Sequence, residues 1–399
     1  MTNLNQFQPL FPANSALGPL QELASEIIAQ CHQLHGQAGK SIVQSLRPKL
    51  RAMNSYYTNK IEGQHTLPIN IERALKKDFD ADAELANKQR LAIAHMEVEE
   101  LLESELEGVS LNELFDPALV CKIHGELYSR LLETDRVTDE EKIIIPGKYR
   151  EEDVTAGRHV APKWQGIDDL MKAWASHYRG LTGTEALVIG TACSHHRLAW
   201  IHPFIDGNGR TARLHSHLAL HSKGLTQGLW SPMRGLARAQ EDYYARLNNA
   251  DMPRRNDLDG RGTLSQEELV KFTHYFLETC LDQVKFMQQQ LNLDSLKSRL
   301  KDLLIHLQEN SWQLGSEKSL IKIEALEALH YTAMMGPIER ARFIAMIGLG
   351  DRSGRRILAS LIDYGVLSAK STRSPVTFDV PLSSLRFLFP RLWPEAELD

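Results

Sequence analysis

The chain has 399 residues, a formal net charge of −5 and ordinary apolar and charged fractions, so it is too long for one compact core and two or three domains are expected. An acidic balance excludes a generally nucleic-acid-binding or membrane-surface protein, and any basic patch must be local. No apolar run approaches the roughly 20 residues needed to span a bilayer, and the N-terminal "MTNLNQFQPLFPANSALG" has neither the basic start nor the apolar core of a secretory signal; the expected location is the cytoplasm, with no membrane partner.

Most of the chain reads as helix. Apolar residues recur at helical spacing from Pro19 to His35 and from Ser41 to Ile61, until "EGQHTLP" breaks the pattern. A further helix is expected over Ile71 to Leu106, and another from Pro117, capped by Asp116, to Leu132. Between Lys142 and Trp164, β-branched residues, glycines and prolines predict two short strands with a turn. Helices resume over Ile167 to Tyr178, over Thr184 to Trp200 with Thr184 as cap, and near 208–223, 237–249 and 265–292. A charged helical connector spans 296–317. The segment from Gly336 to Pro381 then reads as helix, glycine turn, helix and two strands, the order of a winged helix-turn-helix.

Cys31, Cys121, Cys193 and Cys280 form no CxxC pair and read as reduced thiols. "NDLDGRGTLSQEE" imitates a calcium loop, but Arg261 stands where a ligand belongs. It reads better as a loop capping the helix near Ser265, with Glu268 closing a capping box. His195, His196, His215 and His217 read as packing or polar contacts on helices rather than metal ligands.

The chemistry concentrates in "IHPFIDGNGRTARLHSHLAL", Ile201 to Leu220. Gly207 and Gly209 permit a tight turn and close approach to a ligand. A glycine-rich turn entering a helix presents N–H groups and the positive end of the helix dipole to an anion. Arg210 and Arg213 lie three apart on one face, and guanidinium groups grip phosphate oxygens with two prongs. Asp206, beside such a phosphate cradle, needs a cation between, which makes it a candidate Mg²⁺ ligand. His202 is a candidate general base.

"HPFIDGNGRTAR" is identical to the signature of the Fic family, and the resemblance extends over roughly 40–315. It implies a mainly α fold, a Fic-type helical bundle with a small β-hairpin flap, and the C-terminal winged helix lies outside the resemblance. The expected organisation is an N-terminal helical region over 1–110, a Fic catalytic core over 111–295, the connector, and a winged-helix domain over 318–399. It implies a nucleotidyltransferase, a protein adenylyltransferase that moves AMP from ATP to a Ser, Thr or Tyr hydroxyl of a protein, itself included, and releases pyrophosphate.

By position, His202 would be the base. Asp206 would hold Mg²⁺, Gly207, Asn208, Gly209 and Arg210 would form the anion hole, and Arg213 would hold the γ-phosphate. Fic relatives that act as kinases carry alanine and lysine where Gly207 and Gly209 stand, so the two glycines favour nucleotidyl transfer. Gly157, Arg158 and His159 in the flap would approach nucleotide or target. Tyr243 and Tyr244 would line the adenine pocket or pack in the core.

"TNKIEG" from Thr58 to Gly63 resembles the family's inhibitory motif, on a helix at about 55–62. It implies that Glu62 pairs with Arg213 and blocks the γ-phosphate site. The same glutamate supports removal of AMP in some relatives. Basic residues outnumber acidic ones between Pro337 and Pro375, with Arg352, Arg355 and Arg356 at the start of the second helix of the winged module. That leaves open DNA binding by a regulator that uses the Fic core as a sensor, and equally a protein-binding or homodimer surface. The protein substrate is not named by the residues.

Overall fold

A computed structural model describes residues 3–37, 39–309 and 320–397; positions 310–317 of the expected connector and 318–319 of the expected last domain lie outside them. The fold is mainly helical. The helices are α1 (Leu17–Gln37), α2 (Lys40–Ile61), α3 (Pro68–Leu75), α4 (Ala83–Glu105), α5 (Leu111–Leu114), α6 (Pro117–Ser129), α7 (Ile167–Arg179), α8 (Thr184–Ile201), α9 (Asn208–Ser222), α10 (Pro232–Arg238), α11 (Gln240–Ala250), α12 (Gln266–Gln290), α13 (Leu293–Glu309), α14 (Leu326–Met335), α15 (Arg340–Ile347), α16 (Asp351–Tyr364) and α17 (Leu385–Leu388). Strands β1 (Thr155–Ala156) and β2 (His159–Val160) pair antiparallel, as do β3 (Leu367–Ser368) and β4 (Thr377–Phe378). No helix of the described residues is long and apolar enough to cross a membrane.

The chain forms two compact units, one of Met1–His32 with Arg51–Lys285, the other of Gln33–Leu50 with Phe286–Asp399. In the first, α8 is buried on nearly every side and packs on α9, with α7 against α8 and with α4 and α6 against α9. A helix that carries "ALVIGTACSHHRLAWI" can only be central, because it has no polar stripe to give to water. Its buried Arg197 donates to the carbonyls of Pro9 (2.9 Å) and Ala250 (3.4 Å). In the second unit, α13 packs on α14 and α17, and α15 packs on α16. A turn through Gly348 (φ 73°) joins α15 to α16, and β3 and β4 follow. An isolated bridge pairs Ile338 with Val376.

Four local expectations differ from what is observed. The expected helix from Ile71 to Leu106 is two helices. Asp82 caps α4 by accepting the Leu85 N–H at 2.8 Å, Asp80 accepts the Asp82 N–H, and Lys77 is left-handed; short acidic side chains compete for backbone donors and end a helix. The helix expected over 237–249 is α10 and α11, because Ser231 and Pro232 start a turn of helix early. Thr184 is not the cap of α8: Gly183, at φ 87°, occupies that position without a side-chain bond. Glu268 does not close a capping box. Ser265 accepts its N–H (3.1 Å), but its carboxylate goes to Arg255 and Lys271.

Candidate functional site

The loop 202–207 links the two central helices. His202 ends α8 in the left-handed region (φ 50°), its N–H closing on the Leu198 carbonyl. Such a backbone costs a non-glycine residue about 1 kcal/mol and persists only where neighbours hold it. Arg150 supplies that hold. Its guanidinium donates to the carbonyls of His202 (2.8 Å), Glu152 (2.7 Å) and Pro162 (2.6 Å), and its own N–H donates to the Pro203 carbonyl. Phe204 is buried and stacks on His124 at 3.9 Å. The Asn208 side chain clasps Phe204, accepting its N–H and donating to its carbonyl, both at 2.9 Å.

The imidazole of His202 has a defined tautomer. Nδ1 lies 3.2 Å from the Ala199 carbonyl, which can only accept, so Nδ1 carries the proton and Nε2 keeps its lone pair. Burial, with the charges of His159 and Arg150 adding to it, lowers its pKa to about 4, so the ring is neutral near pH 7 and ready to take a proton.

Gly207 caps α9 at φ 77°, and a Cβ there would lie 2.5 Å from the Tyr128 ring. The N–H groups of Asn208, Gly209 and Arg210, in the first turn of α9, have no carbonyl one turn back. A Cβ on Gly209 would meet the Glu62 carboxylate at 2.3 Å and Arg213 Nη1 at 3.0 Å, so only glycine fits between those groups.

The two arginines are buried, and both are engaged. Arg210 donates to the Tyr128 hydroxyl at 2.6 Å and to the Gln64 side chain. Arg213 donates to the Thr58 hydroxyl (2.8 Å), the Thr58 carbonyl (3.2 Å) and the Glu62 carboxylate. Burial opposes their charge, but Tyr128 and Asp206 for Arg210, and Glu62 for Arg213, raise both above the usual arginine value. The end of α2 is pinned as well: Gln240 and the Tyr244 hydroxyl donate to the Ile61 carbonyl at 3.0 and 2.8 Å.

Asp206 is 40 % exposed, and its Oδ2 accepts from the Tyr128 hydroxyl at 3.2 Å. Its backbone carbonyl accepts from His124 Nε2 at 3.2 Å, and His124 Nδ1 in turn accepts the Gly147 N–H. A fixed, solvent-facing carboxylate offers hard oxygen, the donor type that suits Mg²⁺ shared with phosphates and does not suit a softer ion.

A cavity of about 500 Å³ is lined by Glu62, Gly157, Arg158, His159, His202, Asn208, Gly209, Arg213, Tyr243 and Tyr244 among others, whereas Asp206, Gly207 and Arg210 are not on its wall. The hairpin β1–β2 turns at Gly157 (φ 61°) and Arg158. His159 is anchored: Nδ1 donates to Asp251 (2.9 Å) and Nε2 to the Trp200 carbonyl (2.8 Å). Burial disfavours its charge, yet Asp251 and the carbonyl outweigh burial and raise its pKa. Tyr243 is buried with its hydroxyl 2.7 Å from His195, whereas Tyr244 is 40 % exposed. Sequence reasoning missed Arg150, His124, Tyr128 and Gln64, for which no local motif gives a signal.

Of the other expectations, the four cysteines are free. Asp259 accepts the N–H groups of Glu267 (2.7 Å) and Arg255 (3.1 Å), as a capping loop does. His195, His196 and His215 bond to Ser216 and Tyr243, to the Leu247 carbonyl and to the Leu114 carbonyl.

The Fic/DOC family profile matches residues 114–220. A protein adenylyltransferase Fic of Nematostella vectensis is 28% identical over 199 residues, 49% of this chain and 42% of that protein. Another of that name, from Drosophila mojavensis, is 31% identical over 128 residues, 31% of this chain and 25% of that protein. The chain thus spans less than half the length of these relatives. A solved Fic family protein from Desulfovibrio desulfuricans superposes with a TM-score of 0.53 at 17% identity, covering 94% of this chain and 99% of that one. A Fic domain containing signaling protein from Bacteroides thetaiotaomicron gives 0.50 at 15%, over 67% and 96%.

Proposed function

We propose, for a chain that carries a Fic domain across residues 114–220, that it transfers AMP from ATP to a hydroxyl of a protein side chain and releases pyrophosphate. One observation carries the reading: the free Nε2 of His202, the open start of α9 and Arg213 face a single cavity beside the β1–β2 hairpin. The acceptor oxygen forms a bond to the α-phosphorus while the bond from that phosphorus to the β-phosphate oxygen breaks. The hydroxyl proton passes to Nε2 of His202, and pyrophosphate leaves. The first-turn N–H groups of α9 with Arg210 hold the phosphates. Asp206 is the residue to hold Mg²⁺, which supplies neutralisation of phosphate charge when bound. Tyr243 and Tyr244 form the wall for the base, and the exposed edge of the hairpin seats the acceptor peptide.

On this reading Glu62 restrains the enzyme, because the Arg213 guanidinium that the γ-phosphate needs is taken. Gln64 adds a second hold, on Arg210. The test is AMP labelling with radioactive ATP. Glu62→Gly should raise incorporation strongly, and adding His202→Ala to it should abolish the signal. An unrestrained wild type, or labelling that survives His202→Ala, sinks the reading.

A second reading concerns the other unit. Arg352, Arg355 and Arg356 are exposed on the first turns of α16, with β3–β4 following as a wing, which supports nucleic-acid binding by a winged helix over 318–399. A salt-dependent gel shift lost on Arg355→Ala with Arg356→Ala would establish it.

A further inference from the structure

The C-terminal half of α9 carries a second cluster of chemistry, on residues that the proposed transfer reaction does not use. His217 and His221 lie one turn apart on α9 and face Glu99 and Glu103, one turn apart on α4. His217 Nε2 is 2.9 Å from Glu103 Oε1 and 3.7 Å from Glu99 Oε1, and His221 Nδ1 is 3.4 Å from Glu103 Oε1. Ligand atoms about 3.4 Å apart are what a tetrahedral ion with bonds of about 2.0–2.1 Å requires, and the 2.9 and 3.4 Å spacings from the two histidines to Glu103 Oε1 lie near that value. From this cluster we infer a divalent-metal site of the zinc class, with His217, His221 and Glu103 as its ligands, whose ligand atoms all lie within 4.8 Å of one another.

The surroundings fit. Arg51 donates to Glu103 Oε2 through Nη2 (2.8 Å) and Nε (3.2 Å), which turns Oε1 toward the histidines as a single-oxygen ligand. Asn54 donates to Glu99 Oε1 at 2.7 Å. The other oxygen of Glu99 is buried with no hydrogen-bond partner, and the ring of His95, wholly buried with neither nitrogen hydrogen-bonded, stands 3.5 Å from it. The Thr226 hydroxyl, 2.8 Å from His221 Nδ1, is the group an ion displaces. Imidazole with carboxylate selects a zinc-class ion over Mg²⁺, and with three protein ligands a water completes the four-coordinate shell. The site is separate from Asp206, and an ion there would tie the helix bearing Arg210 and Arg213 to α4.

The test uses the full-length untagged chain, stripped with a chelator and titrated with Co²⁺ and then Zn²⁺. The expected result is the visible absorption of four-coordinate Co²⁺, bleached by stoichiometric Zn²⁺ but not by Mg²⁺, with a Zn²⁺-dependent rise in Tm. His221→Ala, at the most exposed ligand, and Glu103→Gln should each weaken the metal roughly 10- to 100-fold or more while far-UV circular dichroism stays unchanged. His274→Ala, which alters the exposed His274–Glu278 pair on α12, is the control and should leave binding unchanged. The inference is overturned if the wild type gives no such spectrum and no Zn²⁺-dependent Tm shift, or if the spectrum survives in both His221→Ala and Glu103→Gln.

Discussion

Glu62, just past the last turn of α2, and Arg213, in the second turn of α9, meet across the cavity as a carboxylate and a guanidinium, and the same arginine takes the hydroxyl and carbonyl of Thr58. Three acceptors of this buried cation thus lie on a single stretch of chain. A ligand phosphate that claims Arg213 must displace Glu62, so restraint and substrate binding are two occupancies of one group. A graded series follows. Glu62→Gly should transfer AMP roughly 5- to 150-fold faster than wild type, the usual range for a coupled pair of sites. Glu62→Gln should fall between, because its amide oxygen still accepts from Arg213 but carries no charge. Initial labelling rates at one ATP concentration decide this, and equal rates for all three proteins would remove Glu62 from the mechanism.

Acid should weaken the fold. Burial lowers the pKa of His124, His202 and His215 to about 4 and of His95 and His195 to about 3. Their folded values lie below the unfolded value of about 6.5. Their contribution to stability is therefore complete above about pH 6.5 and is lost as pH falls toward the folded values, each by at most about 1.4 kcal/mol per pH unit. His159 and His217 are raised and act in the opposite sense, but they are outnumbered. Thermal melts should show Tm falling from pH 7 to pH 5; a flat profile would contradict buried neutral histidines.

Gly207→Ala should cost about 2 kcal/mol or more. The left-handed backbone at φ 77° contributes about 1–2 kcal/mol, and the Tyr128 ring, 2.5 Å from the added methyl, must shift and give up its bond to Arg210. Gly157→Ala is the matched control, at φ 61° with nothing within 4 Å, and should cost only the backbone component. Denaturant melts of the two variants separate strain from clash.

Arg150→Lys should lower kcat more than it raises KM for ATP. Arg150 lies outside the cavity wall, and its guanidinium reaches three carbonyls, including that of His202. A lysine ammonium cannot span that fork. Arg150 is a positioning residue, and its loss should relax the His202 backbone without removing a phosphate contact. A change confined to KM would argue against that role.

The sequence by itself determined the helical class, the break after Ile61, the hairpin before α7 and the crowded loop between α8 and α9. These are local features. Helical period, a glycine at a forced φ and a run such as "HPFIDGNGRTAR" are written in neighbouring residues, and "TNKIEG" is equally local. What the tertiary structure alone decided is which distant groups complete them. Arg150 reaches the His202 carbonyl, Tyr128 stands between Arg210 and Asp206, Gln64 meets Arg210, and Glu99 and Glu103 face His217 and His221. In each case the partner lies dozens of residues away, and its side chain is an ordinary polar residue on a helix or loop until packing removes water from around it. Burial turns such a residue into an obligatory partner, because an unpaired polar group costs far more inside than at the surface. Spacing along one chain segment cannot report that cost, since it arises only when two helices close over the pair.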